Sequence, residues 1–148
     1  MPYELRDHTA DVAVEATAPT LSAVFAAVAD GLTAASCESV PETGGERFAV
    51  DETAESREAL LFEYLDRLIY ERDVRLVLPA DHECRVIPPD GADAATDAAD
   101  GSAWRVTASA RGVSLDDVAA REIKAVTYSE MALEPRDDGW YAYVVFDV

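Results

Sequence analysis

Lysine is almost absent from this chain. The sequence has 148 residues, of which 12 are Lys or Arg and 30 are Asp or Glu, and Lys124 is the single lysine. An ammonium is a compact, strongly hydrated point charge, whereas a guanidinium is a planar fork. A chain that otherwise uses arginine therefore allows two interpretations of Lys124. Either the position needs an ammonium, or the lysine is a chance remainder on a solvated strand.

Positive charge as a whole is scarce, and the formal net charge is −18. Nucleic-acid binding draws much of its affinity from cations that neutralise phosphates. The sequence has no basic run and no arginine stripe. We therefore expect no direct binding of DNA or RNA, and no association with an anionic membrane surface.

The acid excess also indicates an environment. Self-repulsion of this size strains a compact state in dilute salt, but at molar salt the Debye length falls to about 3 Å. The excess of acid, the near-absence of lysine and the abundant alanine predict a halophilic cytoplasm. An acidic protein from an ordinary cytoplasm is the alternative.

Cysteine is also scarce. Cys37 and Cys84 are the only two, too few for a disulfide framework or a four-ligand zinc site, and we interpret them as buried thiols. The N-terminal sequence lacks the cationic and apolar regions of a secretory signal. No run of about 18 apolar residues indicates a membrane span. We expect a cytoplasmic protein.

Two segments have the periodicity of amphipathic helices. Residues 11–17 first alternate apolar and polar side chains, as a half-buried strand does. Thr20 then has the character of a helix N-cap, and the apolar spacing that follows predicts a helix ending near Ser36. A second stripe predicts a helix over residues 56–72. The apolar positions of these two stripes are Leu21, Val24, Phe25, Val28 and Leu32, then Leu60, Leu61, Tyr64, Leu65, Leu68 and Ile69.

The remaining segments are mostly extended or turn-like. Residues 88–102 are acidic and poor in large apolar side chains, which predicts a flexible insertion. Asp137-Asp138-Gly139 is a hairpin signal. Predicted strands cover residues 47–51, 76–78, 83–87, 104–110, 122–134 and 140–148. The pattern predicts one α+β domain over residues 1–148, with two amphipathic helices packed on a largely antiparallel β-sheet of about six or seven strands.

Familiar catalytic signatures are missing from the sequence. It has no Walker lysine motif, no Gly-x-Gly-x-x-Gly, no nucleophile elbow and no His-Glu-x-x-His. His8 and His82 are the only histidines. A triad built on histidine is therefore poorly supported.

Carboxylates near the two ends of the sequence are more informative. Asp11 lies at the start of the first predicted strand, Asp147 lies at the end of the last, and Val148 provides an α-carboxylate beside it. If the two strands are neighbours, three oxyanions converge, and clustered carboxylates repel unless a cation lies between them. Oxygen ligands suit calcium, magnesium or manganese better than zinc. Alternatively, Asp11 caps a strand and Asp147 is a solvated tail residue.

Several sequence blocks, in order along the chain, resemble the archease family. Together they cover nearly the whole chain from residue 8 onward. The blocks are His8-Thr9-Ala10-Asp11-Val12, Thr20-Leu21 with Phe25, residues 60–70, Glu122-Ile123-Lys124-Ala125-Val126-Thr127-Tyr128 with Met131, and Gly139-Trp140-Tyr141-Ala142 with Val145-Phe146-Asp147-Val148.

The resemblance implies a protein cofactor rather than an enzyme. Archeases assist the RtcB-type RNA ligase of tRNA splicing, promoting transfer of GMP from GTP onto the ligase and multiple turnover. The family's activation-critical positions fall on Asp11, Lys124 and Asp147. The resemblance further implies that Asp11, Asp147 and Val148 bind a divalent cation, either calcium or manganese or magnesium. The partner is then the RtcB-type ligase, and tRNA is reached only through it.

The sequence departs from the family pattern at a few positions. Ser129 stands where many members have histidine, Val113 stands where glutamate usually follows glycine, and a histidine common between those places is missing. Only roles of those side chains are affected. Two other classes stay open, namely a general chaperone or assembly adaptor and a small metal-dependent phosphoesterase.

Overall fold

The structure, a computed structural model, describes residues 3–7, 11–89 and 103–148, with the side chains of residues 5–7 left out. These residues form seven strands, two α-helices and a short 3-10 helix at Leu115–Asp117. The helices are α1 (Leu21–Ser36) and α2 (Arg57–Arg75). The strands are β1 (Tyr3–Asp7), β2 (Asp11–Ala18), β3 (Glu46–Ala54), β4 (Val77–Ile87), β5 (Trp104–Ser114), β6 (Ala125–Arg136) and β7 (Gly139–Asp147).

The strands form two antiparallel sheets. One has the order β1-β2-β7-β6, and the other has the order β3-β5-β4. Both helices contact strands of both sheets, so the main core lies where helices and sheets meet. The predicted α+β architecture is confirmed, with seven strands divided between two sheets instead of one.

Several predicted boundaries are wrong. The two strands predicted at residues 76–78 and 83–87 are one strand, β4, with an irregularity in its pairing between Ala80 and Glu83. Asp81 has a positive φ of 51° there. The irregular pairing interrupts the alternation of side chains along the strand, so the sequence pattern resembles that of a turn. Helix α2 continues to Arg75, and β6 begins only at Ala125.

Two further regions differ from the sequence-based prediction or cannot be compared with it. Strand β1 was not predicted. The predicted insertion at residues 88–102 lies almost wholly outside the described residues, apart from Pro88 and Pro89. The single-domain assignment therefore stays a prediction.

Local sequence signals explain where the helices begin. The Thr20 hydroxyl accepts a hydrogen bond from the Ala23 amide at 3.1 Å, and Ser56 does the same for Ala59 at 3.1 Å. Each cap satisfies an amide that the first helical turn leaves without a carbonyl. The predicted N-cap and C-terminal end of α1 are confirmed.

The close approach of α1 to the first sheet depends on a glycine. A Cβ added at Gly31 would lie 2.4 Å from Val14 Cγ1, closer than two carbon atoms can pack. Val14 and Phe25 are completely buried. Gly31 thus lets α1 press directly on β2, the strand that begins with Asp11. Among the described residues, neither helix has the length and apolar character needed to cross a membrane.

A buried polar contact joins α1 to β4. The Thr33 hydroxyl lies 2.8 Å from His82 Nε2 and donates to the Pro79 carbonyl at 2.7 Å. Burial lowers the pKa of His82 to about 4. The negative charge of Asp81 acts to raise this pKa, and the positive charge of Arg47 acts to lower it further. Burial also raises the pKa of Asp30 to about 6, although its carboxylate accepts the His82 main-chain N–H. Neutral forms of both groups are therefore favoured inside this contact.

These two groups should oppose each other in the pH dependence of stability. Between about pH 4 and pH 6 the unfolded chain binds the proton of His82, so its contribution makes stability rise with pH. Over the same interval the folded chain binds the proton of Asp30, so its contribution makes stability fall with pH. We therefore compare the free energy of unfolding of each variant with that of the wild type. As pH rises through this interval, the difference should become less favourable for His82→Gln and more favourable for Asp30→Asn. Urea unfolding at several pH values measures both slopes, and two slopes equal to that of the wild type would contradict this account.

Candidate functional site

The pairing of β2 with β7 brings the first of the archease-like blocks next to the last one. Asp11 lies directly opposite Asp147, and the register continues from Val12 opposite Phe146 to Ala18 opposite Trp140. Directly opposed residues of an antiparallel pair have Cβ atoms about 4.5–5.5 Å apart on the same face. The two predicted carboxylates therefore share one face at one end of the sheet.

The neighbouring residues show which face this is. Val12 and Phe146 are both buried in the main core, and side chains alternate across a strand. Asp11 and Asp147 thus lie on the side of the sheet away from the helices. Asp147 is exposed, whereas Asp11 is partly buried and its Oδ1 atom is buried. Val148 is also partly buried and packs against the main core.

Lys124 is next to this pair through its main chain. Its amide donates a hydrogen bond to the Asp147 carbonyl at 2.8 Å, and the following residue, Ala125, lies opposite Asp147 in the ladder. The Lys124 side chain is exposed. In the described part of the chain, no hydrogen bond or ion pair of its ammonium is found. The structure thus places the main chain of Lys124 next to the Asp11 and Asp147 positions, and the Lys124 side chain is exposed there.

Two arginines hold the segment that leads to Lys124. Arg121 donates from Nε to the Ala35 carbonyl at 2.8 Å, and its amide donates to the Ser36 carbonyl at 2.8 Å. These carbonyls belong to the last turn of α1, which lacks helical partners for them. Arg121 therefore satisfies the helix end and fixes the start of the segment.

The second arginine acts one residue before Lys124. The buried Arg72 donates from Nη2 to the Ile123 carbonyl at 3.2 Å, and the Ile123 side chain is completely buried. The sequence alone did not indicate either arginine, because each binds a main-chain carbonyl distant in sequence. A long arginine near the end of an amphipathic helix is otherwise interpreted as solvated.

The oxygen donors of Asp11 and Asp147 are of the chemical kind that hard cations prefer. Within residues 3–7, 11–89 and 103–148, no group of three His, Cys, Asp or Glu side chains forms a metal cluster. The opposed pair supplies two carboxylates, and the Val148 carboxyl group is the further oxygen donor that the sequence predicts. Magnesium is typically held by one or two carboxylates with water completing the shell, and calcium accepts carboxylates in a flexible geometry.

Comparisons with known proteins agree over the full length of the chain. The model of the Archease protein family (MTH1598/TM1083) matches residues 3–148. Protein archease of Thermococcus gammatolerans is 30% identical over 150 residues, and the match covers 99% of this chain and 98% of that protein. Protein archease of Archaeoglobus fulgidus is 28% identical over 152 residues, with 100% of each chain covered.

Two solved structures have the same fold. The solution structure of protein 1598 of Methanobacterium thermoautotrophicum gives a TM-score of 0.80 at 23% identity, covering 99% of both chains. The crystal structure of an archease and possible chaperone from Thermotoga maritima gives a TM-score of 0.60 at 20% identity, covering 98% of this chain and 96% of that one. At these identities the likeness concerns the fold alone.

The role of Arg72 can be tested without any partner. Arg72→Met keeps much of the side-chain volume and removes the donor to the Ile123 carbonyl, so the segment before β6 should open more often. We expect faster hydrogen exchange of the Lys124 amide, by about tenfold if the lost bond is worth about 1.4 kcal/mol. Arg136→Met, which removes an exposed ion pair with Glu134, is the control. Equal exchange at Lys124 in both variants would show that Arg72 does not hold the segment.

Proposed function

Because this chain belongs to the archease family, we propose that it is a protein cofactor of an RtcB-type RNA-splicing ligase. It would act in the cytoplasm, promoting guanylylation of the ligase and multiple turnover during tRNA splicing. The observation that supports this most is the β2–β7 register, which sets Asp11 opposite Asp147 and the main chain of Lys124 beside them. These three positions are those that the family resemblance marks as critical for activation.

Asp11, Asp147 and the carboxyl group of Val148 would hold a divalent cation in this proposal. Bound there, calcium, manganese or magnesium would supply positive charge to phosphate oxygens or to carboxylates of the partner. The chain itself contributes the arrangement. The register keeps the two carboxylates at one end of the sheet, and the partial burial of Asp11 limits how far its side chain can turn away.

Lys124 would provide a second positive group beside the cation. Its ammonium is compact, so it can approach a single phosphate oxygen or carboxylate oxygen without the planar fit that a guanidinium requires. Fixed positive groups lower the cost of the negative charge that develops as pyrophosphate leaves GTP. Arg72 and Arg121 hold the main chain on the N-terminal side of Lys124, which favours a defined position for its side chain.

The overall charge supports a protein partner over direct RNA binding. A net charge of −18 disfavours the approach of a polyanion and favours a basic protein surface. The tRNA would then be contacted through the ligase. A general chaperone or assembly adaptor is the second candidate function, because the Thermotoga maritima relative is called a possible chaperone and this chain exposes several large apolar side chains.

Metal binding by the paired carboxylates can be measured directly. We expect titration calorimetry with calcium or manganese to detect one site in the wild type. Asp11→Asn and Asp147→Asn should each weaken it by about tenfold or more, since even groups that only support metal ligands contribute factors of this size. Asp137→Asn, in the exposed turn before β7, is the control for diffuse binding to an acidic surface. Equal weakening by all three variants would indicate diffuse binding instead of a site.

Activation of the cognate ligase tests the functional proposal. We expect Lys124→Ala and Asp147→Ala to lose most of the stimulation of guanylylation, and Lys124→Arg to restore little of it because the fork does not replace a point charge. Asp138→Ala is the matched control.

The outcomes of this assay separate the candidate functions. Wild-type stimulation by both Lys124→Ala and Asp147→Ala would contradict the mechanism, and full stimulation after chelation of metal would favour the adaptor. Hydrolysis of cyclic phosphates by the pure protein, lost in Asp11→Ala, would indicate a phosphoesterase.

A further inference from the structure

Exposed apolar side chains are concentrated beside one helix. Among the described residues, five large hydrophobic side chains are well exposed, and four of them lie on α2, at its end or on the segment of β6 that packs against it. These four are Tyr70 at 56%, Val74 at 59%, Leu76 at 66% and Tyr128 at 55% exposure. Contiguous exposed apolar surface on a soluble protein commonly marks an interaction site.

A bulge in β6 places Tyr128 over this helix. The pairing of β6 with β7 is interrupted between Thr127 and Ala132, and Glu130 has a positive φ of 60°. Tyr128 lies inside this irregular stretch and stacks on Phe62 of α2, with ring centroids 4.1 Å apart and an interplanar angle of 5°. One ring face of Tyr128 is therefore covered by Phe62, while the rest of the side chain is exposed.

Carboxylates are interleaved with the apolar side chains along the helix. At 3.6 residues per turn, positions 63, 66, 70, 73 and 74 fall on one side of α2. Asp66 and Asp73 are exposed like the apolar side chains, and Glu63 is close enough to help raise the pKa of Tyr128, after the larger effect of burial. We call this surface the α2 face, and it consists of Glu63, Asp66, Tyr70, Asp73, Val74 and Tyr128.

The two arginines nearest the α2 face also bind groups outside it. Arg67 lies 5.8 Å from the Tyr70 ring, but it is paired with Glu52 at 2.8 Å and Glu71 at 2.9 Å. Arg72 contacts Asp73 at 3.1 Å, but it also binds the Ile123 carbonyl. The α2 face is therefore both apolar and negatively charged, with aromatic rings available for a further cation.

The α2 face borders the candidate functional site. Ile123 contacts Arg72 near the end of α2, and Tyr128 contacts Phe62 near its beginning. The segment from residue 123 to 128 therefore runs along the helix in the opposite direction. Lys124 lies in this segment, so a partner seated on the α2 face could reach the lysine without leaving the surface.

We propose that the α2 face is a docking surface for a protein that presents arginine or lysine side chains beside apolar ones. This inference rests on the function proposed above, in which that protein is the ligase. Cationic side chains would stack on Tyr70 and Tyr128 and pair with the carboxylates of Glu63 and Asp66. Apolar side chains of the partner would cover Val74. Tyrosine is also a residue in which binding energy is commonly concentrated at interfaces.

Other occupants fit the α2 face less well. RNA and anionic lipid carry the same sign of charge as its carboxylates, and the aromatic rings are too closely interleaved with acids to form a stacking platform. A second copy of this chain would meet the face with the same patch in a two-fold dimer. Both facing surfaces would then carry carboxylates and no unpaired cation from this face, which is unfavourable.

Binding of the cognate ligase to matched variants tests this docking surface. We expect the double variant Tyr70→Ser with Val74→Ser, and separately Asp66→Arg, to weaken binding by about tenfold or more in titration calorimetry. Ile87→Ser replaces the fifth exposed hydrophobic residue, on β4, and Glu38→Arg makes the same charge change as Asp66→Arg in the exposed loop after α1. Both controls should stay within about twofold of the wild type. Circular dichroism establishes that every variant is folded.

Guanylylation assays separate docking from chemistry. At saturating concentration the variants of the α2 face should reach wild-type stimulation and only need more protein, whereas Lys124→Ala should not reach it. If the wild-type chain does not bind the ligase, the proposed function is contradicted and this inference falls with it. If the ligase binds and the variants of the α2 face bind equally well, only the docking surface is refuted. A wild-type dimer that sedimentation shows to dissociate in the Tyr70 and Val74 variant would also refute it, in favour of self-association.

Discussion

The antiparallel pairing of β2 with β7 is the constraint on which the candidate site depends. It sets Asp11 opposite Asp147, two residues separated by nearly the whole sequence. A slip of one residue would turn every side chain of β2 to the other face, and the buried Val12 and Phe146 oppose such a slip because they belong to the main core. Gly31 contributes by letting α1 lie directly on Val14. The packing of the core thus determines where the carboxylates lie.

Much of the fold could be predicted because its signals are local. The Thr20 cap, the apolar stripe of α1 and the Asp137-Asp138-Gly139 turn depend on neighbouring residues, and the structure confirms them. Features created by tertiary contacts could not be predicted in this way. The kink at Asp81 looks like a turn in the sequence, and the bulge that places Tyr128 over Phe62 has no glycine to mark it. Of the site, Lys124, Asp11 and Asp147 already stood out in the sequence, and the family resemblance added the expectation that they are critical. The anchoring roles of Arg72 and Arg121 needed the structure.

Basic side chains are scarce in this chain, and Lys124 differs from most of the arginines in how its side chain is placed. With 30 acidic residues and 12 basic ones, most arginines of the described chain are held by carboxylates or main-chain carbonyls. Arg67 joins Glu52 and Glu71, Arg111 joins Asp81 and two loop carbonyls, and Arg121 closes α1. Lys124 instead has its main chain held and its side chain exposed. Beside it, the α2 face adds negative charge and apolar surface, so a basic partner would meet both features together.

Paramagnetic broadening by manganese is the measurement that tests the central claim most directly. In a spectrum of the wild-type amides, a substoichiometric amount of Mn²⁺ should broaden the signals around Asp11, Lys124 and Asp147 before all others, because broadening falls steeply with distance from the ion. That result would place the cation at the end of the β2–β7 pair. Broadening that begins elsewhere, or that spreads evenly over exposed acidic positions such as Asp51 and Glu83, would contradict the account.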